Sequence, residues 1–226
     1  MLILAIDTSG PSGGITLAEA GGNAFRVIES APIAGGTFSA QLVPTLATLL
    51  KNHGFAAEEL GGFVATSGPG SFTGLRVGLS AIKGLAEVLR KPIATVTVLE
   101  AMALLSAREG TVVTALDAGR VEVFVGIYQF ANGAVATQQE ELLPRAVFLE
   151  MLRTVNPARA VTSDPPLGWF ASQAGVSLEL VLRPGSEAMA EIGARKLVNG
   201  HTVSVEALDA HYLRRSDAEI FFKGTR

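Results

Sequence analysis

"TVVTALDAGRVEVFVGIYQFANGAVATQQEEL" occupies residues 111–142. It reads as a strand ending at Asp117, a short turn, a long strand, a turn at Asn132 and Gly133, and a third strand. The N-terminus runs the same way. "LILAID" ends at Asp7, "GITLAEA" follows a turn, Gly21 and Gly22 mark a hairpin, and "AFRVIE" returns. An acidic residue closes the first strand of each triplet. The pattern is that of a diverged internal repeat.

Around each triplet the period changes from two to 3.6. Leu42, Leu46, Leu49 and Leu50 make a helix of residues 39–53, with Pro44 near its start and Gly54 as its stop. "GFVATSG" and "KPIATVTVL" read as strands, and "LEAMALLSARE" as a helix. In the second half a helix is expected over 144–153, a strand over 159–164 and a helix over 186–199. Consecutive strands followed by alternating helix and strand predict an α/β protein with mixed sheets flanked by helices. Two such units make a bilobed molecule with a cleft. The expected boundaries are 1–105 and 106–204, with the tail 205–226 packing back on the first lobe.

Composition narrows the chemistry. The chain has 226 residues, 48% apolar and 17% charged, with a net charge of −3. That describes a folded globular protein able to bury a core. No apolar run approaches the roughly 20 residues of a membrane span. The opening "MLILAIDTSG" lacks a basic leader and reads as a buried strand, so a cytoplasmic location is expected. There are no cysteines, which removes disulfides, thiolate metal sites and a Cys nucleophile. No two of His53, His201 and His211 have the i, i+4 spacing of a helical metal pair, and no metal site is expected. No G-x-S-x-G elbow is present. The acidic balance is unlike that of a nucleic-acid binder.

Two further features carry possible chemistry. Asp7, Thr8 and Ser9 stand at a strand-to-turn junction, and Asp117 stands at the matching point of the repeat. Such turns hold phosphates and magnesium in phosphotransferases, and they are equally ordinary turns. The first has no glycine directly after its Asp. The second feature is "SGPGSFTGLRVGLSAIKGL", residues 67–85. It lacks the Gly-Lys-Ser/Thr of a Walker loop, and Ser71 and Thr73 suit a helix start. Gly78 and Gly84 each cost the helix about 1 kcal/mol. Close packing is the usual compensation. Leu75, Leu79, Ile82, Ala86 and Leu89 form one apolar stripe. Gly74, Gly78, Ala81 and Leu85 form a narrower one, which can meet a helix of this chain or of a partner.

"LAIDTS", "SGPGSFTGLRVGLSAIKGLA", "LDAGRVEVF" and "HYLRRSDAE" stand in one order across nearly the whole chain. In this the sequence resembles the TsaB, or YeaZ, family. The resemblance implies two ribonuclease-H-like lobes of the actin-like ATPase (ASKHA) superfamily. It implies a non-catalytic scaffold subunit. Its role would be to support a TsaD-like transferase in forming threonylcarbamoyladenosine beside the anticodon of tRNAs that read codons beginning with A. A TsaE-like ATPase would be a second partner. tRNA would be met only through the complex, and a homodimer would form when the chain is alone. No cofactor of its own is implied, and ATP or ADP with magnesium would sit at a partner interface. The weak nucleotide candidates on this chain are Asp7, Thr8, Ser9 and Asp117. The helices over 39–53 and 73–90 would form the docking face, through Leu42, Val43, Leu46, Gly74, Val77, Gly78, Ala81 and Leu85.

The chain departs from the family pattern in places. Phe38, Ser39 and Ala40 replace a common His-Ser-Glu. Gly119, Val121 and Phe124 replace an Arg, a Gly and a Tyr, and Ala210 replaces a Pro. The rivals are a free-standing actin-like ATPase or phosphotransferase using Asp7 and Asp117, and, more remotely, a peptidase.

Overall fold

Leu2, Leu4 and Ile6 alternate with Ile3, Ala5 and Asp7, and all six are buried, so the first strand lies at the centre of a sheet covered on both faces. In the computed structural model, which describes residues 1–22, 24–132, 134–211 and 213, the chain forms two units. The elements follow in order: β1 (Leu2–Asp7), β2 (Ser12–Gly21), β3 (Ala24–Ala34), α1 (Phe38–Asn52), β4 (Leu60–Gly68), α2 (Phe72–Leu89), β5 (Ile93–Thr97) and α3 (Val98–Leu105). Then come β6 (Gly110–Gly119), β7 (Glu122–Ala131), β8 (Ala134–Pro144), α4 (Arg145–Val155), β9 (Arg159–Thr162), α5 (Pro165–Gln173), β10 (Glu179–Leu180) and α6 (Ser186–Val198). Among the described residues no helix is long and apolar enough to cross a membrane.

The first unit comprises Met1–Ala101 and Pro184–His211. Its sheet runs β3-β2-β1-β4-β5, with β1, β2 and β3 antiparallel and β4 and β5 parallel to β1. Gly22 turns the first hairpin at a φ of +56°, which suits a residue without Cβ. Leu42, Leu46, Leu49, Leu75, Leu79 and Ile82 seat α1 and α2 on one face, against Leu4, Ile6, Ile15, Leu17 and Phe63.

The other face is covered by α6, which packs on β1, β2, β4 and β5. Sequence periodicity finds this helix but assigns it to the second lobe, and the structure corrects that boundary. The reason is local: a Cβ on Gly193 would lie 2.3 Å from Val64 Cγ1, so this glycine lets the helix lie flat on β4. Lys196 also donates to Thr95 O at 2.8 Å and to Glu100 at 2.7 Å. Beyond α6, Val203 bridges to Ile93, and Leu208 and Ala210 are buried in the first unit's core. The rest of the tail, including Tyr212 and residues 214–226, lies outside the described residues.

The second unit comprises Met102–Arg183. Its sheet runs β10-β9-β6-β7-β8, the same order read from the opposite edge. Again the first three strands are antiparallel and the last two are parallel to the first. Phe148 and Leu152 of α4 and Leu167 of α5 pack on Val113, Ala115, Val123 and Val125. Asn132 turns the hairpin at a φ of +53°, while Gly133 lies outside the described residues. α5 and β10 are not foreseen from the sequence. Pro165 and Pro166 occupy the first turn of α5, where no helical N–H is needed. The duplicated order makes both units ribonuclease-H-like, in the actin-like (ASKHA) manner.

Candidate functional site

The turn after β1 closes on itself. The Asp7 carboxylate accepts from the Ser9 N–H at 3.0 Å and from the Ser9 hydroxyl at 2.7 Å. Asp7, Thr8 and Ser9 are all buried, at 2–3% exposure. The next residues are Gly10 and Pro11, and Pro11 has no N–H to offer. The turn is therefore an Asx turn closed by Ser9, and Ser9, Gly10 and Pro11 border a pocket with Gly35, Ser71 and Thr73.

The matching turn lies in the other unit. Asp117 Oδ1 accepts from Arg145 at 2.9 Å and from the Gly119 N–H at 3.2 Å. The Asp117 N–H donates to Asp164 at 2.5 Å. Arg145 also lies over the Phe170 ring, 5.1 Å from its centroid. These contacts tie the ends of β6 and β9 to the start of α4. Asp164 stands 47 residues from Asp117 and has no motif to announce it.

The histidines stay apart from this chemistry. His53 pairs with Glu29 at 2.6 Å, and the His211 backbone N–H donates to Ser67 O at 2.8 Å. Among the described residues, no three His, Asp or Glu side chains gather closely enough to hold a metal ion.

The helix glycines decide what α2 faces. Ser71 caps it, accepting from the Gly74 N–H at 3.2 Å. The Ser71 N–H reaches Ser9 O at 2.8 Å, which binds the loop to the β1 turn. A Cβ on Gly74 would stand 2.1 Å from Thr8 O, and one on Gly78 would stand 2.4 Å from Thr8 Oγ1. Both glycines are buried against β1 and its turn, so they are not surface available to a partner. Leu42 and Leu46, at 2% and 8% exposure, also belong to the core. These four expected docking positions are corrected: they shape the helices from within.

The other four remain at the surface. Val43 is 65% exposed, and Val77, Ala81 and Leu85 are partly buried. The structure adds Val88, 79% exposed, and Phe72, 39% exposed. The Arg76 guanidinium stacks on the Phe72 ring at 3.7 Å. Ser39, Val43, Phe72, Arg76, Val77 and Ala81 border a shallow groove between α1 and α2. Phe38, at the position of the common His, turns inward, 5% exposed, and fills the core below the groove.

Comparison with known proteins places this architecture. Residues 32–154 match the family model described as TsaD, tRNA N6-adenosine threonylcarbamoyltransferase. The tRNA threonylcarbamoyladenosine biosynthesis protein TsaB of Bacillus subtilis is 35% identical over 157 residues, covering 68% of this chain and 66% of that protein. The Escherichia coli protein of the same name is 26% identical and covers 96% of each chain. A solved Pseudomonas aeruginosa protein, described as similar to peptidase YeaZ, superposes with a TM-score of 0.71 at 26% identity, covering 94% of this chain and 99% of that one. YeaZ from Pseudomonas aeruginosa superposes with a TM-score of 0.68 at 24% identity, covering 91% and 96%. With the duplicated sheets and the capped, glycine-bearing α2, these matches show that the chain belongs to the TsaB (YeaZ) family, within the wider family that the threonylcarbamoyltransferase model describes.

Proposed function

We propose that this chain is a non-catalytic scaffold subunit in the formation of threonylcarbamoyladenosine on tRNA. It binds a TsaD-like transferase through the outer face of α1 and α2, and a TsaE-like ATPase completes the assembly. The observation that carries this reading is the apolar face itself, where Val43, Phe72 and Val88 stand in water. Grouped apolar side chains on a helix pair are what a partner covers. The closed turns at Asp7 and Asp117 support the non-catalytic part, because both carboxylates already accept hydrogen bonds within their own units. Any nucleotide with magnesium belongs, on this reading, at a partner surface.

The test is co-purification of the full chain with the TsaD-family transferase of the same genome, followed by a tRNA modification assay. A complex on a sizing column, and modification that stops when this chain is omitted, are expected. No complex, together with modification that proceeds without the chain, overturns the reading. ATP turnover by the purified chain alone would favour the actin-like ATPase instead.

A further inference from the structure

The chain passes from the first unit to the second inside a helix. α3 runs Val98–Leu105, and the boundary lies between Ala101 and Met102. Its side chains are not those of a linker: Val98, Leu99, Ala101, Met102 and Ala103 are each at 1% exposure or less. Each end is held from the unit it belongs to. At the start, the Glu100 N–H donates to Thr97 Oγ1 at 2.9 Å. Lys196 of α6, also in the first unit, donates to Glu100 at 2.7 Å and to Thr95 O at 2.8 Å. At the far end, Arg159 of β9 donates to Ser106 O at 3.1 Å and to Glu179 at 2.8 Å, which fastens the end of α3 to the second unit.

A helix of 8 residues does not persist alone in water, because the cost of its first turn is not recovered over so short a length. Isolated helices are marginal below about 12–15 residues. Unfolding of the second unit would leave the first with Val98–Ala101, a single turn with nothing after it. Unfolding of the first would leave the second with Met102–Leu105. In either case the apolar side chains on the surviving half lose the helix that keeps them buried, and burial is the main favourable term in folding. The two cations set how firmly each unit grips its half. Without Lys196, the Glu100 carboxylate, 17% exposed, would be left without its cation.

We propose that α3 couples the stability of the two units, with Lys196 as the clamp of the first and Arg159 as the clamp of the second. Each unit then reaches its full stability only while the other is folded. A protein or ligand that binds one unit also stabilises the other, since it favours the folded state that both share.

Pulsed hydrogen–deuterium exchange along a urea titration, read by mass spectrometry, gives separate midpoints for β1 of the first unit and β6 of the second. The full chain is compared as wild type, as Leu152→Ala, as Lys196→Met and as the two combined. Leu152 is buried in the second unit's own core, so its truncation addresses that unit directly. Alone, Leu152→Ala is expected to lower the β6 midpoint by about 1 M urea and the β1 midpoint by the same amount. In the Lys196→Met background it should lower the β6 midpoint and leave that of β1 in place. A β1 midpoint unmoved by Leu152→Ala alone overturns the coupling. Equal movement of both midpoints in both backgrounds overturns the part given to Lys196, because a merely structural ion pair would lower both midpoints and leave them joined. Arg159→Met, combined with a core truncation in the first unit (Leu49→Ala), is read in the same way for the other clamp. Should Lys196→Met fail to fold, Glu100→Gln, which keeps the shape and gives up the charge, takes its place with the same outcomes.

Discussion

Thr8 determines what α2 can be made of. Its carbonyl lies where a side chain at 74 would go, and its hydroxyl where one at 78 would go. Gly74→Ala should therefore destabilise the protein, although alanine is the better helix former. The propensity gain is about 1 kcal/mol at most, and an end-of-helix position gains less. Displacing a helix from backbone contact costs about 1–3 kcal/mol. Urea denaturation should show a net loss, and a gain would mean that α2 can lift off the turn freely. Asp7 belongs to the same arrangement. Asp7→Asn keeps the shape but gives up the charge that two Ser9 donors address. A loss of about 1–3 kcal/mol is expected in the same assay. On the scaffold reading, tRNA modification by the assembled complex should persist at temperatures where this variant stays folded. Complete loss of modification in a folded Asp7→Asn complex would give the carboxylate a chemical role.

At the scale of elements, helices and strands were legible where one face is apolar and the other is not. Leu42, Leu46 and Leu49 announce α1, and the paired triplets ending at Asp7 and Asp117 announce both sheets. What one chain does not display is how a helix is rotated against its sheet. Two apolar stripes on α2 look alike in sequence, and only the position of Thr8 shows that the side bearing Gly74 and Gly78 also faces inward. Long-range partners are hidden for a similar reason. α6 could have covered either sheet, and its place is fixed by contacts such as the 2.8 Å hydrogen bond from Thr16 to Ser186, 170 residues apart. Val43 tests the surface that remains. It projects from α1 at 65% exposure, so Val43→Arg puts a charge into water in the free chain and should leave its melting unchanged within about 0.5 kcal/mol. On the docking reading, the complex would bury the same charge without a partner, at a cost of several kcal/mol. A sizing column run with the transferase should show the variant eluting alone. Co-elution would move the docking surface off α1.

For the whole molecule, charge separates what this chain does from what its assembly does. Eighteen Lys and Arg stand against 21 Asp and Glu. Affinity for nucleic acid comes largely from neutralising phosphates and releasing their counterions. Among the described residues, α2 carries Arg76 and Lys83 beside Glu87, with Arg90 at its end, on the face that the proposed partner covers. The isolated chain is therefore expected to bind tRNA no better than the non-specific range, with Kd no tighter than about 10⁻⁶ M at physiological salt. On the scaffold reading, adding the TsaD-family transferase should produce retention of tRNA that neither protein gives at the same level alone, the transferase supplying the phosphate contacts. A filter-binding titration, run at two salt concentrations, measures both quantities. The complex should lose affinity steeply as salt rises, while the isolated chain has little affinity to lose. Tight, salt-sensitive binding of tRNA by the isolated chain would mean that the α1–α2 helix pair is an RNA surface, and the partner would then have to dock elsewhere.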